Sequence, residues 1–203
     1  TFRFYGNTFN AVNISTNGWV GLGGSNSTTT GLGFVLPNAI APNNVIHAIT
    51  SDLTFAATYN AVQNDAVLQY FEVGSAPNRA FVIDYSNLKF VAGPVASRAN
   101  VQVILYETTN IVEIHTTSCT NTTVPKAQGV STGRNNTANW AVPVGGNAYR
   151  FTPDNITFSW SPATGLNTTT GATVIATPAI TTVYTVSALN TVNSATGNTT
   201  VTV

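Results

Sequence analysis

The chain has 203 residues, of which 43% are apolar and only 7% are charged, and its formal net charge is zero. Intrinsically disordered chains combine low hydrophobicity with high charge, so this composition indicates a folded chain with a real core. The seven basic residues are scattered, which excludes the basic patch that nucleic acids or anionic membranes need, and no apolar run approaches the roughly 20 residues of a membrane helix. The absence of methionine indicates a processed chain or an excised fragment, and the Thr-rich segments favour an extracellular setting.

The first 22 residues predict short strands joined by a tight turn. Phe2 and Phe4 fall on one face of an extended segment. Asn17-Gly18 lies between apolar segments, which is the strongest short signal for a β-hairpin, and Trp19 then begins the next strand.

Two further strands follow a long segment rich in turn-forming residues at 23–44. The segment 45–55 predicts a buried strand that ends in a polar turn at Ser51-Asp52. The segment 65–73 alternates apolar and polar residues, which is typical of a strand.

The strongest pattern of the chain runs from Pro77 to His115. Apolar residues recur with a period of two on both sides of a Gly/Pro break, which predicts long, half-buried strands. Within it, residues 101–115 are interrupted only by Thr108-Thr109-Asn110, so we predict a hairpin with a short loop. This pattern indicates the fold class, but it does not identify a reaction or a ligand.

After His115 the pattern weakens. Residues 116–126 predict a Thr/Asn loop, 127–133 a short strand, and 134–147 a loop around Trp140. Residues 148–151 predict a last strand before Pro153, where the character of the sequence changes.

We therefore predict an all-β protein: a jelly-roll-like β-sandwich at 1–153, followed by a small Ig-like β-sandwich at 154–203. About 50 residues is short for an Ig-like domain, which usually has roughly 100, so the second domain is predicted to be strand-incomplete. Its expected strands are 155–160, 172–176, 182–188 and 197–203.

Two parts of the sequence resemble known secreted proteins. The stretch FSWSPATGLNTTTGATVIATPAITTVYTVSA resembles the C-terminal Ig-like modules of large surface proteins of Bacteroidota. The segments FRFYGNTF, NISTNGWV, APNRAFVIDYSNL and VQVILYETTNIVEIH resemble a β-sandwich module of the same class of proteins. The resemblance implies a bacterial cell-surface protein of the adhesin type, often exported through the type IX route. It also implies a buried Trp160 and supplies no catalytic residue.

Catalytic chemistry has little support in the sequence. His47 and His115 lie at strand-like positions without a nucleophile motif or a His-x-x-x-His pair, so we interpret both as structural. Asp84, Glu107 and Glu113 alternate with apolar residues on predicted strands, and a paired-carboxylate site remains open. We expect a protein that is not an enzyme.

No cofactor is expected. Asp52 with Ser51, or Asp65 with Asn64 and Asn60, supply oxygen atoms of the kind that calcium binds, but no Asp-x-Asp-x-Asp loop occurs. We interpret these residues as turn formers and keep a calcium site as an open alternative.

Carbohydrate binding is the alternative function. Aromatic side chains stack on sugar rings, and Asn-rich loops supply hydrogen bonds, although aromatic residues of a β-sandwich more often belong to the core. Trp140 and Tyr59 are the candidate glycan contacts.

The function that the sequence favours is a structural or adhesive surface protein, and a fibre subunit that assembles by donor-strand complementation is one form of it. Low charge leaves sheet edges unprotected, and 182–203 contains no lysine or proline, the residues that commonly block edge pairing. A strand donated by a neighbouring copy, or by a neighbouring domain of a larger surface protein, would complete the short second domain. Head-to-tail contacts of this kind would give a filament. The candidate assembly residues are Thr1, Phe2 and Phe4 near the start, and Thr199, Val201 and Val203 near the end.

Overall fold

The computed structural model describes residues 1–23, 44–59, 62–63, 65–131, 137–141, 144–153, 155–191 and 194–203. All of the regular elements in these ranges are β-strands, which confirms the predicted all-β class. The chain divides into two compact units, Thr1–Pro153 and Asp154–Val203.

The first unit is built from two sheets. In chain order its strands are β1 (Phe2–Phe4), β2 (Asn7–Phe9), β3 (Val12–Ser15), β4 (Trp19–Leu22), β5 (Val45–Thr50), β6 (Leu53–Thr54), β7 (Thr58–Tyr59), β8 (Val62–Gln63), β9 (Val67–Val73), β10 (Ala80–Phe90), β11 (Arg98–Tyr106), β12 (Val112–Cys119), β13 (Ala127–Ser131), β14 (Thr137–Ala141) and β15 (Asn147–Phe151). The front sheet has the order β15-β12-β11-β10-β6, and β9 also pairs with β10. The back sheet has the order β14-β13-β5-β4-β3, while β1–β2 and β7–β8 are separate hairpins.

The central hairpin forms as the alternation predicts. Strands β11 and β12 pair antiparallel, and Val101, Val103 and Leu105 are buried while their neighbours on β11 are half-buried. Apolar side chains from both sheets meet in one core, which makes the unit a sandwich. This core contains Val20, Leu22, Ile46, Ala48, Ile83, Tyr85, Leu88, Val101, Val103, Leu105, Val112, Ile114 and Val130, among others.

The Asn17-Gly18 hairpin is also confirmed, and it shows why glycine is needed. Gly18 has a φ of +74°, and a β-carbon at this position would lie 2.6 Å from the carbonyl oxygen of Ile49. Nearby, the Tyr85 hydroxyl donates to the carbonyl oxygens of Ser15 (3.0 Å) and Trp19 (3.3 Å). The front sheet is thereby tied to the back sheet where this turn enters the core.

After the central hairpin, the chain forms strands in parts where loops were predicted. Strand β12 continues to Cys119, and Trp140 lies on strand β14, so the predicted loops at 116–126 and 134–147 are wrong in these parts. Strand β14 has no clear alternation of its own. It forms because its backbone pairs with β13, with Trp140 opposite Gly129. The expected loop at 23–44 lies, except for its ends, outside the described residues.

The second unit contains a three-stranded antiparallel sheet in its described residues: β16 (Ile156–Ser161), β17 (Val183–Asn190) and β18 (Thr196–Thr202). The strand predicted at 172–176 is absent. Residues in this region form local loop hydrogen bonds instead: Asn167 N–H donates to Ile175 O (3.0 Å), and Ile175 N–H donates to Asn167 Oδ1 (2.8 Å).

Tyr184, on the central strand β17, is the fully buried large side chain of this small sheet, and its hydroxyl donates to Thr164 O. Trp160 is only half-buried, so the expectation of a buried tryptophan is wrong. Its indole N–H reaches the carbonyl oxygen of Gly171 at 2.9 Å. A loop faces Trp160 at this point, and a loop covers an aromatic ring less completely than a second sheet would.

Candidate functional site: free sheet edges

Strand β9 forms a long free edge of the front sheet. It pairs with β10 along its whole length, from Val73 opposite Ala80 to Val67 opposite Ser86. Within the described ranges β9 has no partner on its other side. Alternate residues of this seven-residue strand therefore present backbone donors and acceptors that another strand can use.

The side chains of β9 leave this edge unprotected. Tyr70 is 65% exposed and Phe71 41%, and Val67 and Val73 are exposed as well. Glu72 is the one charged residue of the strand, which contains neither lysine nor proline. Sheet edges in soluble proteins usually carry such blocking residues, so an apolar edge of this length is a candidate interaction site.

An apolar cleft of about 240 Å³ opens next to this edge. It lies between the start of the chain and the front sheet, and Glu72 of β9 is part of its wall. Its apolar lining consists of Phe2, Phe9, Ala11, Val12, Leu22, Phe81 and Leu105. Leu22 and Leu105 belong to the core, so the cleft reaches the interior of the sandwich.

An ion-pair network of Arg79, Glu107 and Glu72 forms the polar part of the cleft. The Arg79 guanidinium donates from Nε to Glu107 Oε2 (2.9 Å) and from Nη2 to Glu107 Oε1 (2.7 Å). Nη1 of Arg79 also lies 3.3 Å from Glu72 Oε2. Hydrogen bonds from Arg79 lower the pKa of the Glu107 carboxyl to about 2, and Glu107 raises the pKa of Arg79 in turn. The one acidic group on β9 therefore shares a fixed cation with Glu107.

Among the described residues, strand β18 is the free edge of the second unit. It pairs with β17 from Thr202 opposite Val183 to Thr196 opposite Leu189, and all seven of its residues are exposed. The opposite edge strand, β16, is covered instead, since Trp160 N–H donates to Thr169 O and Gly171 N–H donates to Phe158 O.

The second unit is also free of charge along almost its entire length. Residues 155–203 contain no Asp, Glu, Lys, Arg or His. Of the residues predicted for assembly, Thr199, Val201 and Val203 lie in or next to β18, and the two valines are 43% and 47% exposed. Neither repulsion between like charges nor desolvation of a charge opposes pairing at this edge.

The predicted assembly residues at the other end of the chain are already engaged. Strand β1 pairs with β2, and Phe2 lies opposite Phe9. Phe4 is buried in the core, while Phe2 packs against the core and lines the cleft together with Thr1. Donation of this segment to another copy would first require its removal from its own sandwich.

The two histidines are held by hydrogen bonds. His47 is buried, with Nδ1 2.8 Å from Thr50 Oγ1 and Nε2 3.2 Å from Ser131 Oγ, and burial lowers its pKa to about 4. His115 lies on the outer face of the front sheet, 2.9 Å from Glu113.

Glu113 is the centre of this second histidine's network. Its Oε2 also accepts from the Tyr106 hydroxyl (3.0 Å), and its Oε1 lies 3.1 Å from Nε of Arg150. These partners lower the pKa of Glu113 despite the opposing effect of burial. Of the predicted carboxylates, the structure thus places Glu107 and Glu113 in separate ion-pair networks.

No group of three or more His, Cys, Asp or Glu residues that could hold a metal ion is present in the described part of the chain. Asp65, one of the predicted oxygen donors, accepts from the amide of Asn87 (3.2 Å) and lies 4.0 Å from Nε of Arg98. Its proposed companions Asn60 and Asn64 lie outside the described residues.

The candidate glycan contacts occupy strands. Tyr59 ends β7 and Trp140 is part of β14, while their side chains lie outside the described part of the structure. The described residues contain no helix that is long and apolar enough to span a membrane. The apolar edge of β9 and the Arg79 network were not predicted as site residues. The alternation at 65–73 identified a strand but carried no sign of its edge position.

Comparison with known protein families gives a match over nearly the whole chain. The family model described as NIDO related matches residues 1–202, which is nearly the whole chain and includes both units. No curated protein and no solved structure matched the chain. NIDO-related domains are an extracellular type of domain, in agreement with the predicted extracellular setting. On the strength of this match, the chain belongs to the NIDO-related family.

Proposed function

We propose that this chain is a non-enzymatic structural protein of the bacterial cell surface, of the adhesin type, that self-associates by adding strands to free sheet edges. The observation that carries the proposal is the pair of seven-residue edges, β9 and β18, which lack lysine and proline and have no further strand partner among the described residues.

The physical basis is the unsatisfied backbone of an edge strand. Each such strand offers a row of N–H and C=O groups, and pairing with another strand replaces water at these groups and buries neighbouring apolar side chains. Pairing would remove apolar surface of exposed side chains such as Tyr70, Phe71 and Val201 from water. This burial stabilises the contact by about 25 cal/mol per Å² of apolar surface.

The location and the lack of catalysis have separate support. The extracellular type of the family and the resemblance to secreted surface proteins of Bacteroidota favour the cell surface, with export by the type IX route as part of the proposal. His47 is buried, and Glu113 is engaged by three partners, so neither is free for acid–base chemistry on a substrate. We therefore propose no enzymatic activity.

Association as a function of concentration tests the proposal. We expect the purified full chain to increase in mass with concentration in light scattering after size-exclusion chromatography, and to form regular filaments in negative-stain electron micrographs. Native surface material should show filaments with the same repeat. A chain that stays monomeric at the highest soluble concentration, with no filaments on cells, would refute self-assembly.

Carbohydrate binding is a second candidate, favoured by a row of polar side chains on the outer face of the front sheet. Gln69, Asp84, Gln102 and His115 are cross-strand neighbours on four adjacent strands. The amides of Gln69 and Gln102 lie 3.1 Å and 3.5 Å from Asp84. A glycan array would test this candidate: loss of signal in Gln102→Ala would locate binding on this face, and loss in Trp140→Ala would locate it on β14.

A further inference from the structure

We propose a specific polarity for the assembly: β18 of one copy adds to β9 of another. This inference rests on the proposed function. The partner of the β9 edge is thus the second unit of an identical chain, and each copy has one donor edge and one acceptor edge. The N-terminal hairpin stays in its own sandwich.

The two edges match in length and in availability. Both strands contain seven residues, and they are the longest edge strands that the structure describes. The other edges are shorter or covered: β3 has four residues, β14 and β15 have five each, and β16 is bonded to the loop at Thr169. Pairing through the free side of β18 leaves its bonds to β17 intact, so no strand has to leave its own unit.

The cleft gives the β9 edge a feature that favours an uncharged partner. On β9, Tyr70 and Glu72 point to the core side of the front sheet, since Tyr70 lies opposite the buried Ile83. The Tyr70 ring lies 5.7 Å from the ring of Phe81, and both Phe81 and Glu72 line the cleft. A strand added to β9 would place every second side chain on this face of the sheet, and those nearest Glu72 would lie beside the cleft, where a charged group would lose hydration.

Strand β18 meets this requirement. The whole segment 155–203 is uncharged, and β18 alternates threonine and valine toward its end, with Val201 on the same face as the buried Tyr184. Threonine and valine also favour strands, since branched side chains fit the pleated surface. Glu72 on the acceptor lies 3.3 Å from Arg79, a cation that it shares with Glu107, so its carboxylate keeps a charged partner when the strands pair.

The consequence of unlike edges is an open-ended assembly. A contact between two different surfaces of the same chain is heterologous, and it continues into a fibre unless the rotation closes a ring. One added strand buries less than the roughly 1,600 Å² of a standard protein–protein interface. We therefore expect weak single contacts and a strong dependence of fibre length on concentration.

A complementation experiment with two full-length variants tests the polarity. Phe71→Lys places a charge on the acceptor edge, and Thr200→Lys places one on the donor edge. Each variant alone should stay monomeric, because each lacks one of the two edges. An equimolar mixture should form a one-to-one dimer and no filaments, since the Phe71→Lys chain still offers β18 and the Thr200→Lys chain still offers β9.

Matched controls place the same charge on inner strands of the two sheets. Thr185 lies directly opposite Thr200 on β17, and Gln102 lies on the outer face of β11. Thr185→Lys and Gln102→Lys should form filaments as the wild type does. Thermal unfolding of all four variants shows whether each is folded.

The outcomes separate this inference from the proposed function. Dimers formed by one variant alone would mean that like edges pair, and a mixture that stays monomeric would mean that β9 and β18 do not meet; either result overturns the polarity. Filaments formed equally well by both variants would overturn it while self-assembly stands. A wild-type chain that never associates would refute the proposed function itself.

Discussion

Acidification should weaken the fold through His47, and the size of this effect follows from its burial. The side chain is only 3% exposed, and burial lowers its pKa from 6.5 to about 4. Because the unfolded chain keeps the ordinary pKa, it binds a proton first as the pH falls below 6.5. The free energy of unfolding therefore falls between pH 6.5 and pH 4, and this contribution levels off below pH 4.

The two pKa values fix the magnitude. Each unit of pKa difference corresponds to about 1.4 kcal/mol. The lowering of the pKa from 6.5 to about 4 therefore reduces the free energy of unfolding by roughly 3 kcal/mol at pH 4. Thr50 and Ser131 accept or donate at the two ring nitrogens in the neutral state, and their hydroxyls can rotate to accept from a charged ring. Desolvation of the charge is thus the main cost.

Urea unfolding of the wild type and of His47→Gln at several pH values between 4 and 8 measures this term. The carboxyl groups titrate in both proteins, so the difference between their free energies of unfolding isolates the effect of His47. The free energy of the wild type, relative to that of the variant, should fall by roughly 3 kcal/mol from pH 7.5 to pH 4. Tyr85→Phe is the control, since it changes an equally buried group that stays neutral over this range. Parallel curves for the wild type and His47→Gln would refute the reasoning.

Three further variants test other parts of the first unit by thermal or urea unfolding. Tyr85→Phe should cost about 1 to 2 kcal/mol by leaving the cross-sheet acceptors unpaired, and an unchanged midpoint would show that this link is dispensable. Gly18→Ala should cost at least about 1 kcal/mol, because its φ is +74° and the new methyl group would meet Ile49 O; a stabilised variant would contradict this geometry. Glu107→Gln should be less stable than wild type at neutral pH. Its difference from wild type should vanish as the pH falls through about 2, since the lowered pKa of Glu107 stabilises the fold only above that value. A difference that persists at pH 2 would mean that the ion pair with Arg79 is not its cause.

Patterns within single strands were sufficient to predict much of this fold. The alternation at 101–115 gave the central hairpin, and Asn17-Gly18 gave the turn between β3 and β4, because in both cases neighbours in sequence are also neighbours in space. Strand β14 could not be predicted in this way, since it depends on pairing with β13.

The candidate site was predictable only in part. The uncharged end of the chain pointed to the β18 edge from composition alone. The β9 edge depends on where 67–73 lies in the sheet, and an alternating strand has the same sequence pattern at an edge as at the centre. The half-buried position of Trp160 depends on a loop instead of a second sheet, which its motif does not encode.

The nearly uncharged sequence of the second unit also determines which proteases can cut within it. Trypsin cuts after lysine and arginine, and the last such residue is Arg150, so a tryptic digest leaves 151–203 in one piece whether it is folded or not. Enzymes that require an acidic residue find none after Asp154. The part of the chain that we assign as the strand donor is therefore the part that charge-directed proteases cannot shorten, a useful property for a protein that works outside the cell.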